Sequence, residues 1–367
     1  MRVFAIGDPQ APFAHVLDVL DRHGALAGDR IAPDVTLVSI GDHFDYDLND
    51  PITAGTEGIK LLRWLASHDP RNAIIMLGNH DVSRVMELAS IDDPRFAEAR
   101  VLGRSIDETK KREGREAADR RERDEFHVQF PELPTYGLAS RDYASFSVEQ
   151  RELVIELLLA GRFELATTAT LADGRAVLVT HAGVTWRELT LMAIPLERDP
   201  RVIAARLQSW LTGAVDDVRA DWERGVSTPL SLDPIHVAGS MGEEGGGLLY
   251  HRPSSPSGRG VDPGWAFSAA RPRRYDPRQL PAGLRQVAGH TGHNKCLEEL
   301  GDDGPTDAAR AKPRGGIRTL RVKDGLVTYD LGILPDDPGA ADLYMIDGEL
   351  RRVAAQDYAL LSLAAVG

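Results

Sequence analysis

Five stretches of the chain end an apolar run in a residue able to hold a divalent cation. Residues 3–6 run into Gly7-Asp8-Pro9-Gln10, residues 35–40 into Gly41-Asp42 with Asp45 beyond, and residues 74–77 into Gly78-Asn79-His80-Asp81. Further along, residues 176–180 lead to His181-Ala182-Gly183, and residues 286–288 to Gly289-His290-Thr291. Short apolar runs of this kind read as buried strands, and open α/β sheets bind ligands at the carboxyl ends of their strands. Carboxylate, amide oxygen and imidazole suit hard and borderline divalent ions, and two such ions about 3.5–4 Å apart clamp an in-line phosphoryl displacement. Asp42, between Asp8 and Asn79 in this series, is the natural bridging carboxylate. One metal would take Asp8 and Asp42, and the other Asp42, Asn79, His181 and His290, with a water or hydroxide between them as nucleophile. His80 adjoins a ligand but is spaced to point elsewhere. A protonated imidazole there can donate to a leaving oxygen, with Asp45 to orient it.

The elements that must position these groups follow a βαβαβ opening, which favours parallel strands and an α/β fold. Helices are expected over residues 14–27, 54–67 and 148–159 and within 186–222, each carrying an apolar stripe. Residues 108–125 are almost wholly charged and read as a solvated helix or mobile loop, with a partner-binding arm as the lesser reading. Residues 253–281, rich in Pro, Gly, Ser and Arg, read as a long ordered loop over the site, and residues 301–316 as an exposed loop. Short strands are expected at 317–322, 326–330 and 342–345, then 350–355 after a hairpin turn at Asp347-Gly348.

Composition narrows the function. A formal net charge of −13 argues against a general nucleic-acid surface, which needs a basic face. The single cysteine, Cys296, excludes an intrachain disulfide and a cysteine-rich zinc module, and reads as a buried spectator thiol. There is no signal-peptide core and no apolar run near the ~18 residues of a membrane span. A cytoplasmic location without membrane partners is expected. The 367 residues are read as one domain with insertions at 84–150 and 185–285.

Taken together, Asp8, Gly41-Asp42-His43-Phe44-Asp45, Gly78-Asn79-His80-Asp81, His181 and Gly289-His290 resemble the motif series of the calcineurin-like metallophosphoesterases. The resemblance spans residues 3 to about 293. It implies a four-layer α/β/β/α sandwich with helical and loop insertions, and two divalent metal ions, manganese first, with iron, zinc, magnesium or nickel as alternatives. Gln10 stands where the family has a histidine ligand, and its oxygen is a neutral, harder donor that favours Mn or Mg. The last motif, Gly289-His290-Thr291-Gly292-His293, separates its histidines by two residues instead of one. His293 is therefore either a ligand of the first metal, a substrate contact or a bystander. The stretch Gly247-Leu248-Leu249-Tyr250-His251-Arg252 is similar to the branch holding phosphoprotein phosphatases and diadenosine-tetraphosphatase-like enzymes, where an arginine after an aromatic holds the phosphate. That makes Arg252 the candidate clamp, against the plain alternative of a surface arginine. The arginine that follows the second motif in that branch is replaced here by Tyr46. Arg271, Arg273 and Arg274 could approach a polyphosphate, and Trp265 and Phe267 could stack on a base.

The sequence thus describes a dinuclear metal-dependent phosphoesterase, a phosphatase acting on a phosphomonoester or a nucleotide phosphoanhydride by metal-bound hydroxide attack. The substrate is a phosphorylated small molecule, nucleotide or phosphoprotein. A phosphodiesterase or nuclease-type enzyme is the alternative within the same chemistry. A degenerate, non-catalytic binding protein is the alternative outside it, suggested by Gln10.

Overall fold

Eleven strands hydrogen-bond into one mixed sheet in a computed structural model that describes residues 2–256 and 271–366. Trp265 and Phe267 lie outside the described residues, as does the middle of the 253–281 loop. Numbering the strands of this sheet alone, β1 is Arg2–Ile6, β2 Val35–Ser39, β3 Ala73–Met76 and β4 Phe163–Glu164. Then come β5 Ala166–Leu171, β6 Ala176–Thr180, β7 Arg285–Ala288 and β8 Arg318–Lys323. The last three are β9 Leu326–Leu331, β10 Ala341–Met345 and β11 Leu361–Val366. The order across the sheet is β9-β8-β10-β7-β6-β5-β11-β1-β2-β3-β4.

Two parallel groups stand out in this order. β1, β2 and β3 pair in parallel, and so do β6, β7 and β10. Antiparallel β5 and β11 join them. Because strand side chains alternate between faces, each group splits its apolar residues between two cores. Val3, Val38, Ile74, Val179, Val287 and Tyr344 belong to a buried cluster whose members all come from strands or strand ends. Their neighbours Leu37, Ile75 and Leu178 face a larger cluster shared with helices Phe13–Arg22, Pro51–Ala66, Val148–Leu159 and Pro200–Trp222. Leu343 and Met345 pack against helices His293–Leu300 and Asp307–Ala311. A strand-only core between helix-covered faces is the α/β/β/α sandwich that the motif series implied.

Local chemistry sets the helix ends. Asp50, Asp92 and Asp199 each accept a backbone N–H from the first turn ahead of a proline, and Ser147 caps residues 148–159 in the same way. Several sequence expectations need correction. The first helix stops at Arg22, not residue 27, because Gly24 turns the chain at φ +64° into a small hairpin, Leu26–Ala27 with Arg30–Ile31. For the charged stretch the helix reading holds over the loop: Asp93–Glu113 breaks at Gly114 and resumes at Arg115–Arg121. It is also not wholly solvated, since Ala118 and Phe126 are buried with Phe96, Phe130 and Tyr136 in a core of their own. The 301–316 loop contains the short helix Asp307–Ala311, with Ala309 buried beneath it. No strand forms at 350–355. Leu350–Arg352 and Ala355–Asp357 are 3-10 turns that bury Leu350 and Tyr358 against the helical core, and the last strand is β11. Among the described residues, no helix is long and apolar enough to cross a membrane.

Candidate metal and phosphoester site

The carboxyl ends of the two parallel groups meet. Asp8 and Asn79 follow β1 and β3, Asp42 follows β2, and His181 and His290 follow β6 and β7. Close approach of these loops depends on glycine. A Cβ on Gly78 would lie 2.2 Å from Asp42 Oδ1, and one on Gly289 would lie 2.1 Å from Asp8 Oδ1. Asp81 ties the second and third motifs together: its carboxylate accepts the backbone N–H groups of Gly78, Asp42 and His43 at 2.9–3.1 Å, and His43 Nδ1 at 3.0 Å. Asp42, Asp45 and His290 all take positive φ (55°, 66° and 61°), a strained backbone for such residues. That strain is concentrated where the donors converge.

The hydrogen bonds of the donor set leave ligand atoms free to converge. One ligand atom from each of Asp42, His181 and His290 lies within 4.8 Å of the others, and all three residues are buried. His181 Nδ1 donates to Ile40 O at 2.7 Å, leaving Nε2 at 3.2 Å from Asn79 Oδ1 and 3.4 Å from Asp42 Oδ1. His290 Nε2 donates to Tyr250 O at 2.7 Å, leaving Nδ1 buried without a partner among the described residues. Metal-binding histidines characteristically give their second N–H to a backbone carbonyl, which fixes the tautomer and ring direction. Both histidines do so here, and the residues fit a divalent cation. Burial disfavours a charged His181, but Asp42 beside it prevails and raises its pKa to about 9. His290 is pushed well below the usual imidazole range, first by burial and then by Arg252.

Asp8 is held in place by His290 N–H, at 2.8 and 3.0 Å to its two oxygens. Its pKa lies well above the carboxylate range, first from burial and then from Asp347. Gln10 lines the same cleft and donates Nε2 to Phe44 O at 2.9 Å, so its amide oxygen is the atom left for a ligand. His293 is a correction. Its Nδ1 meets the Tyr329 hydroxyl at 2.7 Å and its Nε2 meets Gly316 O at 3.0 Å, so both ring nitrogens are taken up by structural contacts. The extra residue in the last motif starts helix His293–Leu300 there and turns the ring away from the centre.

His80 and Asp45 come together as the spacing suggested. His80 Nδ1 is 2.9 Å from Asp45 Oδ2, and the His80 backbone N–H donates to Asp42 Oδ1 at 2.8 Å. The pair has a partner that sequence reasoning missed. Arg84, fully buried, reaches Asp45 Oδ2 at 2.6 Å and His80 O at 2.6 Å, and its Nε bonds Gln150 at 3.0 Å. The one available signal was its position, one helical turn after His80. Burial works against ionised Asp45, but Arg84 and His80 together hold its pKa below the usual carboxylate value. Burial likewise opposes a charged His80, yet Asp42 and then Asp45 raise its pKa above the usual imidazole value.

These groups open onto a cleft of about 550 Å³ lined by Asp8, His80, His290, Tyr250, Arg252 and Asp347, among others. Arg252 sits with its guanidinium 5.2 Å above the Tyr250 ring, and its buried Nε has no hydrogen-bond partner among the described residues. Arg273 also lines the cleft, bonded to Tyr250 Oη at 2.7 Å and paired with Glu244. Arg271 and Arg274 pair instead with Glu243 and Glu299. Asp347, which the sequence presented as a turn residue, is buried beside Asp8, and burial pushes its pKa up to about 6.

No protein-family model matches the chain, and no curated protein matches it. Among solved structures, a mutant of a cold-active protein tyrosine phosphatase aligns with 12% identity and a TM-score of 0.34, over 96% of this chain and 72% of that one. A further structure titled as a cold-active protein tyrosine phosphatase aligns with 14% identity and a TM-score of 0.32, over 80% and 68%. Likeness at that level carries neither fold nor activity over to this chain.

Proposed function

We propose that this protein is a metal-dependent phosphoester hydrolase of the calcineurin-like type, acting as a phosphatase on a phosphomonoester or a nucleotide phosphoanhydride. The observation that carries the reading is the convergence of Asp42, His181 and His290, with both imidazoles fixed by backbone carbonyls, beside the His80–Asp45 pair. Asp42, Asn79, His181 and His290 would hold one cation, and Asp8, Gln10 and Asp42 a second, with manganese the first candidate. The cations would supply Lewis-acid stabilisation of the phosphoryl oxygens and activation of water.

The protein's own groups do the rest. Arg252, with a guanidinium face on Tyr250 and an unpartnered Nε, is placed to grip phosphoryl oxygens bidentately. His80, kept protonated by Asp42 and Asp45, donates a proton to the leaving oxygen. Asp45, anchored by Arg84 and the Ser145 N–H at 2.9 Å, holds the His80 ring in that direction. The substrate is a phosphorylated small molecule, nucleotide or phosphoprotein.

The test is a substrate panel for the manganese-loaded protein: p-nitrophenyl phosphate, its bis ester, a dinucleoside tetraphosphate and a phosphopeptide, with His80→Ala alongside. Turnover of the monoester or the tetraphosphate, lost in His80→Ala, supports the reading. Turnover of the bis ester alone reassigns the protein as a diesterase, and no turnover of any substrate, with manganese or with Mg, Zn, Fe or Ni loaded in its place, removes the catalytic reading.

A further inference from the structure

On the Asp8 side of the centre the donors assembled so far are few. Gln10 offers one neutral oxygen, and His293 is committed to Tyr329 and Gly316. The structure brings a sixth strand end to this place. Met345, the last residue of β10, is in register with Ala288 of β7, and Ile346 N–H donates to Ala288 O at 2.9 Å. Asp347 therefore emerges beside the Gly289-His290 turn. The same backbone packs directly on the first motif, since a Cβ at Gly7 would lie 2.3 Å from Ile346 O and 2.8 Å from Asp347 Cα.

The Asp347 carboxylate is buried and lines the cleft together with Asp8, Gln10 and His290. Its Oδ1 accepts the Glu349 N–H at 2.9 Å, which fixes the side chain. Its Oδ2 is kept clear by Gly292, where a Cβ would come within 3.3 Å. Glu349, which closes this turn, takes φ +56°, another strained position at the site. Two buried carboxylates, Asp8 and Asp347, thus stand together. Neither carboxylate forms an ion pair among the described residues, and the imidazoles of His181 and His80 lie 3.4 and 3.9 Å from Asp42 instead. Buried carboxylates without a cationic partner are rare unless they coordinate a metal. Across the same cleft, His290 Nδ1 is buried without a hydrogen-bond partner among the described residues, which fits an electrophile at the neighbouring cation.

We infer that Asp347 is a metal ligand, the carboxylate that joins Asp8, Gln10 and Asp42 on the first cation. The inference rests on the two-metal reading above. It makes that cation's donor set all oxygen, which selects Mn or Mg over Zn.

Metal uptake tests it without reference to turnover. Metal-stripped wild type, Asp347→Asn and Asp347→Glu are titrated with Mn by calorimetry, with electron paramagnetic resonance reporting whether the bound ions are coupled. Wild type should take two equivalents and show a coupled pair. Asp347→Asn should retain one equivalent, lose at least tenfold in affinity for the other and lose the coupled signal, and Asp347→Glu should recover part of both. Uptake of two equivalents by Asp347→Asn with unchanged affinities overturns the inference while leaving the two-metal reading intact. Uptake of fewer than two by wild type overturns that reading itself. The metal-free Asp347→Asn protein should melt at or above the wild-type temperature, since a like-charged neighbour of Asp8 is removed. A lower melting point assigns Asp347 a structural role and contradicts the inference.

Discussion

His80 Nδ1 lies 2.9 Å from Asp45 Oδ2, and the same oxygen receives Arg84 Nη2 at 2.6 Å. A carboxylate shared in this way orients the imidazole and favours its charged form, while Arg84 keeps Asp45 ionised. Removing the ring, as in His80→Ala, should lower kcat by about 10²–10⁴-fold, the usual worth of a positioned acid.

The pH profile separates acid from spectator. A general acid works protonated, so activity falls as pH rises through the His80 pKa, which lies above the usual imidazole value. Asp45→Asn withdraws one of the groups that raise it. The alkaline limb of kcat/KM should therefore move to lower pH in Asp45→Asn, and an unmoved limb assigns the proton to another group.

Arg252 should show a phosphate clamp's signature. Arg252→Ala is expected to reduce kcat/KM by about 10–100-fold, the worth of one charge-assisted contact. Arg252→Lys should recover little, because a point charge cannot reproduce the planar two-pronged grip or the stacking on Tyr250. Full recovery by lysine would reduce Arg252 to a general positive charge.

The glycines that let the motif loops approach give a stability test. Gly289→Ala places a methyl 2.1 Å from Asp8 Oδ1, and should cost about 1–3 kcal/mol as an overpacked site, with loss of metal affinity. Gly213→Ala, within helix Pro200–Trp222 and with nothing within 4 Å of its Cβ, should be neutral or slightly stabilising. Thermal melts and metal titrations of the two variants make the comparison.

Away from the centre, His236 is buried with an unpartnered Nδ1, and burial lowers its pKa to about 3. An unfolded histidine titrates near 6.5, so as pH falls below that value the unfolded chain binds a proton that the folded one refuses. Stability from this group is complete at neutral pH and is lost progressively toward pH 3. Between pH 7 and 5 it should amount to about 2 kcal/mol of the wild-type loss in denaturant melts. His236→Gln should lack that component.

Much of the centre was legible because each candidate ligand follows a buried strand and is contiguous with it in sequence. Asp8, Asp42, Asn79, His181 and His290 needed no long-range information beyond the assumption that strand ends converge. What was not legible depends on contacts between distant segments. Asp347-Gly348 carries the strongest local hairpin signal, yet register with β7 and packing on Gly7 turn it into the cleft. Arg84 drew no notice in the sequence, because its role depends on Asp45, Gln150 and Ser83 closing around it. His293 followed the motif in sequence, but one added residue and the Tyr329 hydroxyl took its ring elsewhere. The strand Leu361–Val366 was missed because its short alternation gains meaning only between β1 and β5.

The most direct test of the central claim is hydrolysis of p-nitrophenyl phosphate by the metal-stripped protein, before and after reloading singly with Mn, Mg, Zn, Fe or Ni, beside Asp42→Asn. A metal-dependent phosphoester hydrolase predicts no turnover when stripped, recovery with at least one metal, manganese first, and no recovery in Asp42→Asn. Equal turnover by the stripped and reloaded protein, or by Asp42→Asn, would contradict it.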